Sequence, residues 1–161
     1  MIAAILIAFA NVAVTPADLA QVKSYDGKNV WTHVGDAKSF LDIRVVRDAI
    51  DVQLNVQERR LLRQLSVGDE VGLAGRFMTA NVCMPHDCPT QHVTIAVDTR
   101  DGVVFFGFWT RKAWWVSPAG RTAIAPKALP CSVLEVFHFA HTPYMQGEQW
   151  CERAEPPWPP K

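Results

Sequence analysis

The apolar and polar positions of the chain change their period near residue 70, and that change separates a helical part from a sheet part. Between Asp36 and Leu54 the apolar residues Phe40, Leu41, Val45, Ile50 and Leu54 recur at roughly helical spacing, with Arg44, Arg47, Asp48 and Asp51 on the polar side. Helix is the expectation there. A second helix is expected over Asn55 to Leu65: Asn55 caps it, Glu58 stands in capping-box position, and Val56, Leu61, Leu62 and Leu65 form the buried stripe. Ser66-Val67-Gly68-Asp69 terminates it. From Glu70 onward β-branched and aromatic residues stand between turn signals. Val71 to Val82 reads as one or two strands and His92 to Asp98 as the next. Thr99-Arg100-Asp101-Gly102 reads as a hairpin turn with Val103 to Trp109 as its return. Ala113 to Val116 and Val133 to Phe139 complete the strand expectations. Helices first and an antiparallel meander afterwards give an α+β fold, N-terminal helices packed on a central antiparallel β-sheet.

The opening stretch MIAAILIAFANVAVTPA follows neither period. Its apolar run of about ten residues is long enough for the core of a signal peptide and too short for a membrane span. Residues 1–17 are therefore expected to be a signal peptide and 18–35 a lead-in, turn-rich from Tyr25 to Gly35. Residues 36–140 are expected to form a single α+β domain, and 141–161 a Pro- and Trp-rich tail. A chain of 161 residues buries enough surface as one domain to fold without metals or cross-links. Its 16 basic and 16 acidic residues cancel, and no basic cluster exceeds Arg59-Arg60, which argues against nucleic acid and against an anionic membrane surface as partner of the mature form.

Export changes how the four cysteines are read. In an oxidising compartment an even number reads first as two disulfides. Cys83 and Cys88 bracket the stretch CMPHDC, which also offers an imidazole and a carboxylate. Zinc sites usually pair cysteines at C-x2-C rather than C-x4-C, and His92 or His138 would have to complete one from within strands. Thiol redox chemistry wants C-x-x-C at a helix start, where a turn stands here, and His86 lies too near Cys83 to align as its base. A Cys83–Cys88 disulfide closing the six-residue loop remains, which the loop-entropy relation values at only ~2 kcal/mol, so its main effect is local shape. Cys131 and Cys151 are then left to pair and to tie the tail to the sheet. Two versions stay open: a surface staple without a partner, and a tip held rigid because it touches one. No metal and no cofactor is expected.

The stretch Cys83-Met84-Pro85-His86-Asp87-Cys88, followed by Gln91 and the alternating strand Val93 to Val97, resembles the C-x-P-H-D-C signature loop of the Ivy family of periplasmic inhibitors of c-type lysozyme. The likeness extends over about residues 36–116, with the helical segment Val45-Val46-Arg47-Asp48-Ala49 upstream and the strand, turn and strand of Ala96 to Phe108 downstream. The resemblance implies a periplasmic location, a homodimer, and a function that is binding rather than catalysis. It also implies that the loop enters the lysozyme cleft, with His86 bonding to the two catalytic carboxylates, Asp87 as a supporting polar contact, and Cys83, Pro85 and Cys88 holding the shape. The best-known member carries Lys in place of Met84 and Gly-Ser in place of Pro89-Thr90, so the loop's charge and exit path differ here. Two other functions stand beside inhibition of a c-type lysozyme or related muramidase: an envelope interaction protein using the loop for another partner, and an enzyme or metal carrier using His86, Asp87 and free thiols.

Overall fold

The computed structural model describes residues 13–88, 90–110 and 114–117. The expected strand Val133–Phe139, the Cys131–Cys151 pair and the tail from residue 141 lie outside the described residues.

Among the described residues three α-helices precede the sheet. The first, α1 (Pro16–Lys23), interrupts what the sequence presents as the end of a signal peptide and the start of an irregular lead-in. Its local chemistry is complete. Thr15 accepts from the Asp18 amide, Asp18 takes the Thr15 amide at 2.7 Å in return, and Pro16 occupies the first turn, where its missing N–H costs nothing. Too few apolar residues share one face for the hydrophobic pattern to reveal it. The helix expected from Asp36 begins later, as α2 (Arg44–Gln53), after a 3-10 turn at Phe40–Asp42. Gly35 at φ +60° and a bridge between Val34 and Ala37 turn the chain sharply before that point. Val45, Val46 and Ala49 form the buried face of α2.

α3 (Val56–Gln64) starts as expected: Asn55 accepts from the Glu58 amide at 2.9 Å and Glu58 accepts from the Asn55 amide at 2.8 Å. Leu62 and Leu65 are buried and Leu61 packs on the core, but Val56 is 71% exposed and does not belong to the stripe. As the first helical residue, it lies beyond the edge of the core. The lead-in also contributes more than turns, because Tyr25 and Val30 are fully buried and Tyr25 meets Phe40 edge to face at 5.5 Å.

The described strands form one antiparallel sheet: β1 (Val67–Gly68), β2 (Gly72–Ala74), β3 (Phe77–Cys83), β4 (His92–Asp98), β5 (Val104–Trp109) and β6 (Trp114–Ser117). β1 and β2 lie along the same edge of β3, so Val67-Gly68 is a short strand as well as the end of the helical region. Between them the lead-in closes the gap, with the Gly27 amide donating to the Val71 carbonyl and the Val30 amide to the Asp69 carbonyl. From β3 the order runs β4, β5, β6, each strand beside the next. Val93, Ile95 and Val97 of β4 join the core with Val82, Phe106, Phe108 and the apolar faces of the helices. His92, Thr94, Ala96 and Asp98 on the opposite face are buried as well. β4 is therefore covered on both sides, and its ends set the two ends of the domain: the turn at residues 99–102 at one, the CMPHDC loop at the other.

Candidate functional site

The β3–β4 ladder runs in register to Cys83 opposite His92. The Met84 amide then donates to the Gln91 carbonyl at 3.0 Å, which makes Cys83–His92 a pair whose side chains approach closely. Beyond it the chain makes two turns. The Asp87 amide donates to the Met84 carbonyl at 3.0 Å, closing a four-residue turn with Pro85 and His86 at its centre. Pro85 fixes its own φ, and His86 has φ +63°, the single non-glycine residue with positive φ among those described. Proline second and a left-handed residue third are the marks of a type II turn, whose third position ordinarily carries Gly or Asn. A histidine in that conformation costs on the order of 1–2 kcal/mol. The turn alone does not account for its presence.

The second turn returns the chain to β4. The amides of Thr90 and Gln91 donate to the Asp87 carbonyl at 3.1 and 2.9 Å, and the Thr90 hydroxyl donates to the Asp87 carboxylate. Asp87 thus braces the loop from inside. Cys83 and Cys88 are joined by a disulfide with Cα atoms 4.8 Å apart. His92 Nδ1 lies 3.0 Å from the Cys88 carbonyl, and its ring stacks on Trp109 with centroids 6.1 Å apart and planes 4° from parallel. Burial pushes the His92 pKa below the usual histidine value. A carbonyl only accepts, so Nδ1 carries the hydrogen and donates to it.

The structure therefore brings together all six residues expected to form the site. Pro85 and His86 are exposed at the tip, Met84, Asp87 and Cys88 are half-buried, and Cys83 is buried at the base. With both loop sulfurs joined, neither is a thiolate nucleophile or a thiolate ligand. Among the described residues no three His, Cys, Asp or Glu side chains converge as a metal site would require. No described helix is long and apolar enough to cross a membrane.

Residues 45–135, more than half of the chain, match the profile of the family described as "Inhibitor of vertebrate lysozyme (Ivy)". The chain belongs to the Ivy family. No curated protein and no solved structure matches it significantly. The matched span begins inside α2 and contains the whole hairpin that carries the loop. Ivy proteins are inhibitors rather than enzymes, which sets the general role of this member as a lysozyme inhibitor.

Sequence reasoning missed two contributors. Thr90, read only as part of the exit path, supplies the hydroxyl that holds Asp87. His92, weighed only as a metal ligand or as a satisfied core or surface histidine, sits on the loop's return strand with its ring turned back toward Cys88. Its place four residues after Cys88 was visible, but the direction of the ring depends on the register with β3 and β5.

Proposed function

We propose that this Ivy member is an exported inhibitor of c-type lysozyme that acts by inserting the loop Cys83–Cys88 into the enzyme's active-site cleft, with His86 as the plug. The observation that carries the reading is the left-handed, exposed His86 at the tip of a cross-linked loop. Strain of this kind persists where surrounding structure enforces it and the side chain serves a purpose outside the fold. A glycosidase of the c-type lysozyme class keeps one active-site carboxyl protonated and the other ionised. A neutral imidazole has one donor and one acceptor nitrogen and can serve both at once.

The remaining residues divide the work of presentation. Pro85, the disulfide and the Asp87–Thr90 bond restrict the loop before the enzyme arrives, so little ordering entropy is left to lose on binding. Asp87 acts through the shape of the turn, and Met84 lies half-buried at the loop's entry. The expected setting is the periplasm, reached through an N-terminal export signal, with Cys131–Cys151 as a second bond.

The test is the loss of turbidity of a cell-wall suspension under a c-type lysozyme, with wild type and His86→Ala titrated in parallel. Truncation of a hot-spot residue typically costs at least ~2 kcal/mol, so His86→Ala should weaken inhibition by about 30-fold or more while the fold persists. Equal potency of the two proteins would remove the loop from the mechanism. Failure of wild type against several c-type lysozymes would favour an envelope partner instead.

A further inference from the structure

We infer that His92 is a positioning residue for the inhibitory loop, fixing the direction in which Cys88 leaves the cross-link and hence the angle at which His86 is presented. The inference rests on the reading of the loop as the inhibitory element. Its basis is a closed triangle at the loop's base. Cys83 is held to His92 by the strand register, Cys88 is held to Cys83 through sulfur, and Cys88 is held to His92 through its carbonyl at 3.0 Å.

The two attachments of Cys88 do different things. A disulfide acts through the side chain and sets how far apart two Cα atoms lie, but it leaves the peptide plane after Cys88 free to rotate. A hydrogen bond to the carbonyl fixes that plane, provided the donor itself cannot move. His92 meets the condition: it is 7% exposed, lies on a strand paired on both sides, and has its ring stacked on Trp109. Three further amide bonds of the loop, donated by Asp87, Thr90 and Gln91, depend on the path the chain takes between Met84 and Gln91. With the Cys88 carbonyl released, the return path between Asp87 and Gln91 loses the constraint that lies closest to the cross-link.

A buried histidine that merely filled space would be replaced equally well by phenylalanine, and this separates the two roles. His92→Phe keeps the aromatic ring and its stack on Trp109 and removes the donor. His92→Asn surrenders the ring but places an amide N–H near the position of Nδ1.

The experiment uses the full-length, oxidised protein. Amide hydrogen exchange of Asp87, Thr90 and Gln91 in the free protein should be about 10-fold faster in His92→Phe than in wild type, the scale set by the net worth of one hydrogen bond, and near wild type in His92→Asn. Inhibition of a c-type lysozyme should fall by about the same factor in His92→Phe, and His92→Phe should add less than about 2-fold when His86 is already alanine. Unchanged exchange in His92→Phe would overturn the inference, as would His92→Asn behaving like His92→Phe, or a full additive loss in the His86→Ala background. If wild type inhibits none of the lysozymes, the functional reading fails, and the exchange comparison still decides whether His92 holds the loop.

Discussion

Asp18 and Arg44 are joined across 26 residues by a two-pronged ion pair, with Arg44 Nε 2.8 Å from one carboxylate oxygen and a terminal guanidinium nitrogen on the other. The pair ties α1 to the start of α2, and Arg44 also reaches the Ala13 carbonyl at 3.2 Å. A segment that looks in sequence like the end of a leader is therefore bonded into the domain. The Arg44 guanidinium holds the Asp18 carboxyl well below the usual carboxylate range. Because the folded form keeps the charge more readily than the unfolded chain, the pair's stabilisation is present above the unfolded carboxylate value of about 4 and is lost as pH falls below it. Asp18→Asn should lower stability at pH 7, and the gap from wild type should narrow between pH 4 and pH 2. Urea unfolding at several pH values measures this. Thr15→Ala should cost about 1 kcal/mol through the lost cap.

His86→Gly and His86→Ala should separate strain from recognition. Glycine adopts positive φ freely, whereas alanine keeps the penalty, so the glycine variant should unfold at higher denaturant by about 1 kcal/mol. Both should lose inhibition to a similar degree. Greater stability of the alanine variant would mean that the left-handed geometry at 86 is not present in solution.

Thr90→Val tests whether Asp87 works through the turn or through the target. It removes the hydroxyl that holds the Asp87 carboxylate and leaves that carboxylate in place. If the carboxylate is a brace, Thr90→Val and Asp87→Ala should each weaken inhibition by about 5-fold, and the double variant should be little worse than either. A far larger loss for Asp87→Ala would assign it a direct contact.

Gly68→Ala should destabilise the edge that supports the loop. A Cβ built at Gly68 would stand 1.9 Å from Val30 Cγ1, and Val30 is fully buried in the core. Overpacking of this kind costs roughly 1–3 kcal/mol. Thermal unfolding should register it, and because Gly68 pairs with Val82 next to Cys83, exchange of the loop amides should rise with it.

Much of this protein is written locally, and what is local was legible. The capping box of Asn55 and Glu58, the span of β4 and the turn at Asp101-Gly102 follow from nearest-neighbour chemistry: a side chain reaching an amide three residues on, alternation along a strand, a glycine free to take φ +73°. The loop could be recognised because six contiguous residues carry it, and spacing alone favours a staple between Cys83 and Cys88 over a metal site. α1 went unread because its capping residues lie inside an apolar stretch and its anchor, Arg44, is distant in the chain.

The sequence by itself thus determined the α+β class, the cross-linked loop and the family to which the chain belongs. Tertiary structure alone decided three matters: that α1 belongs to the domain, that His86 stands left-handed and exposed at the tip, and that the His92 ring supports Cys88. The physical reason is that an ion pair between helices, a cross-link that closes a loop and a ring direction set by strand register each join groups apart in the chain, and none is present in one segment alone.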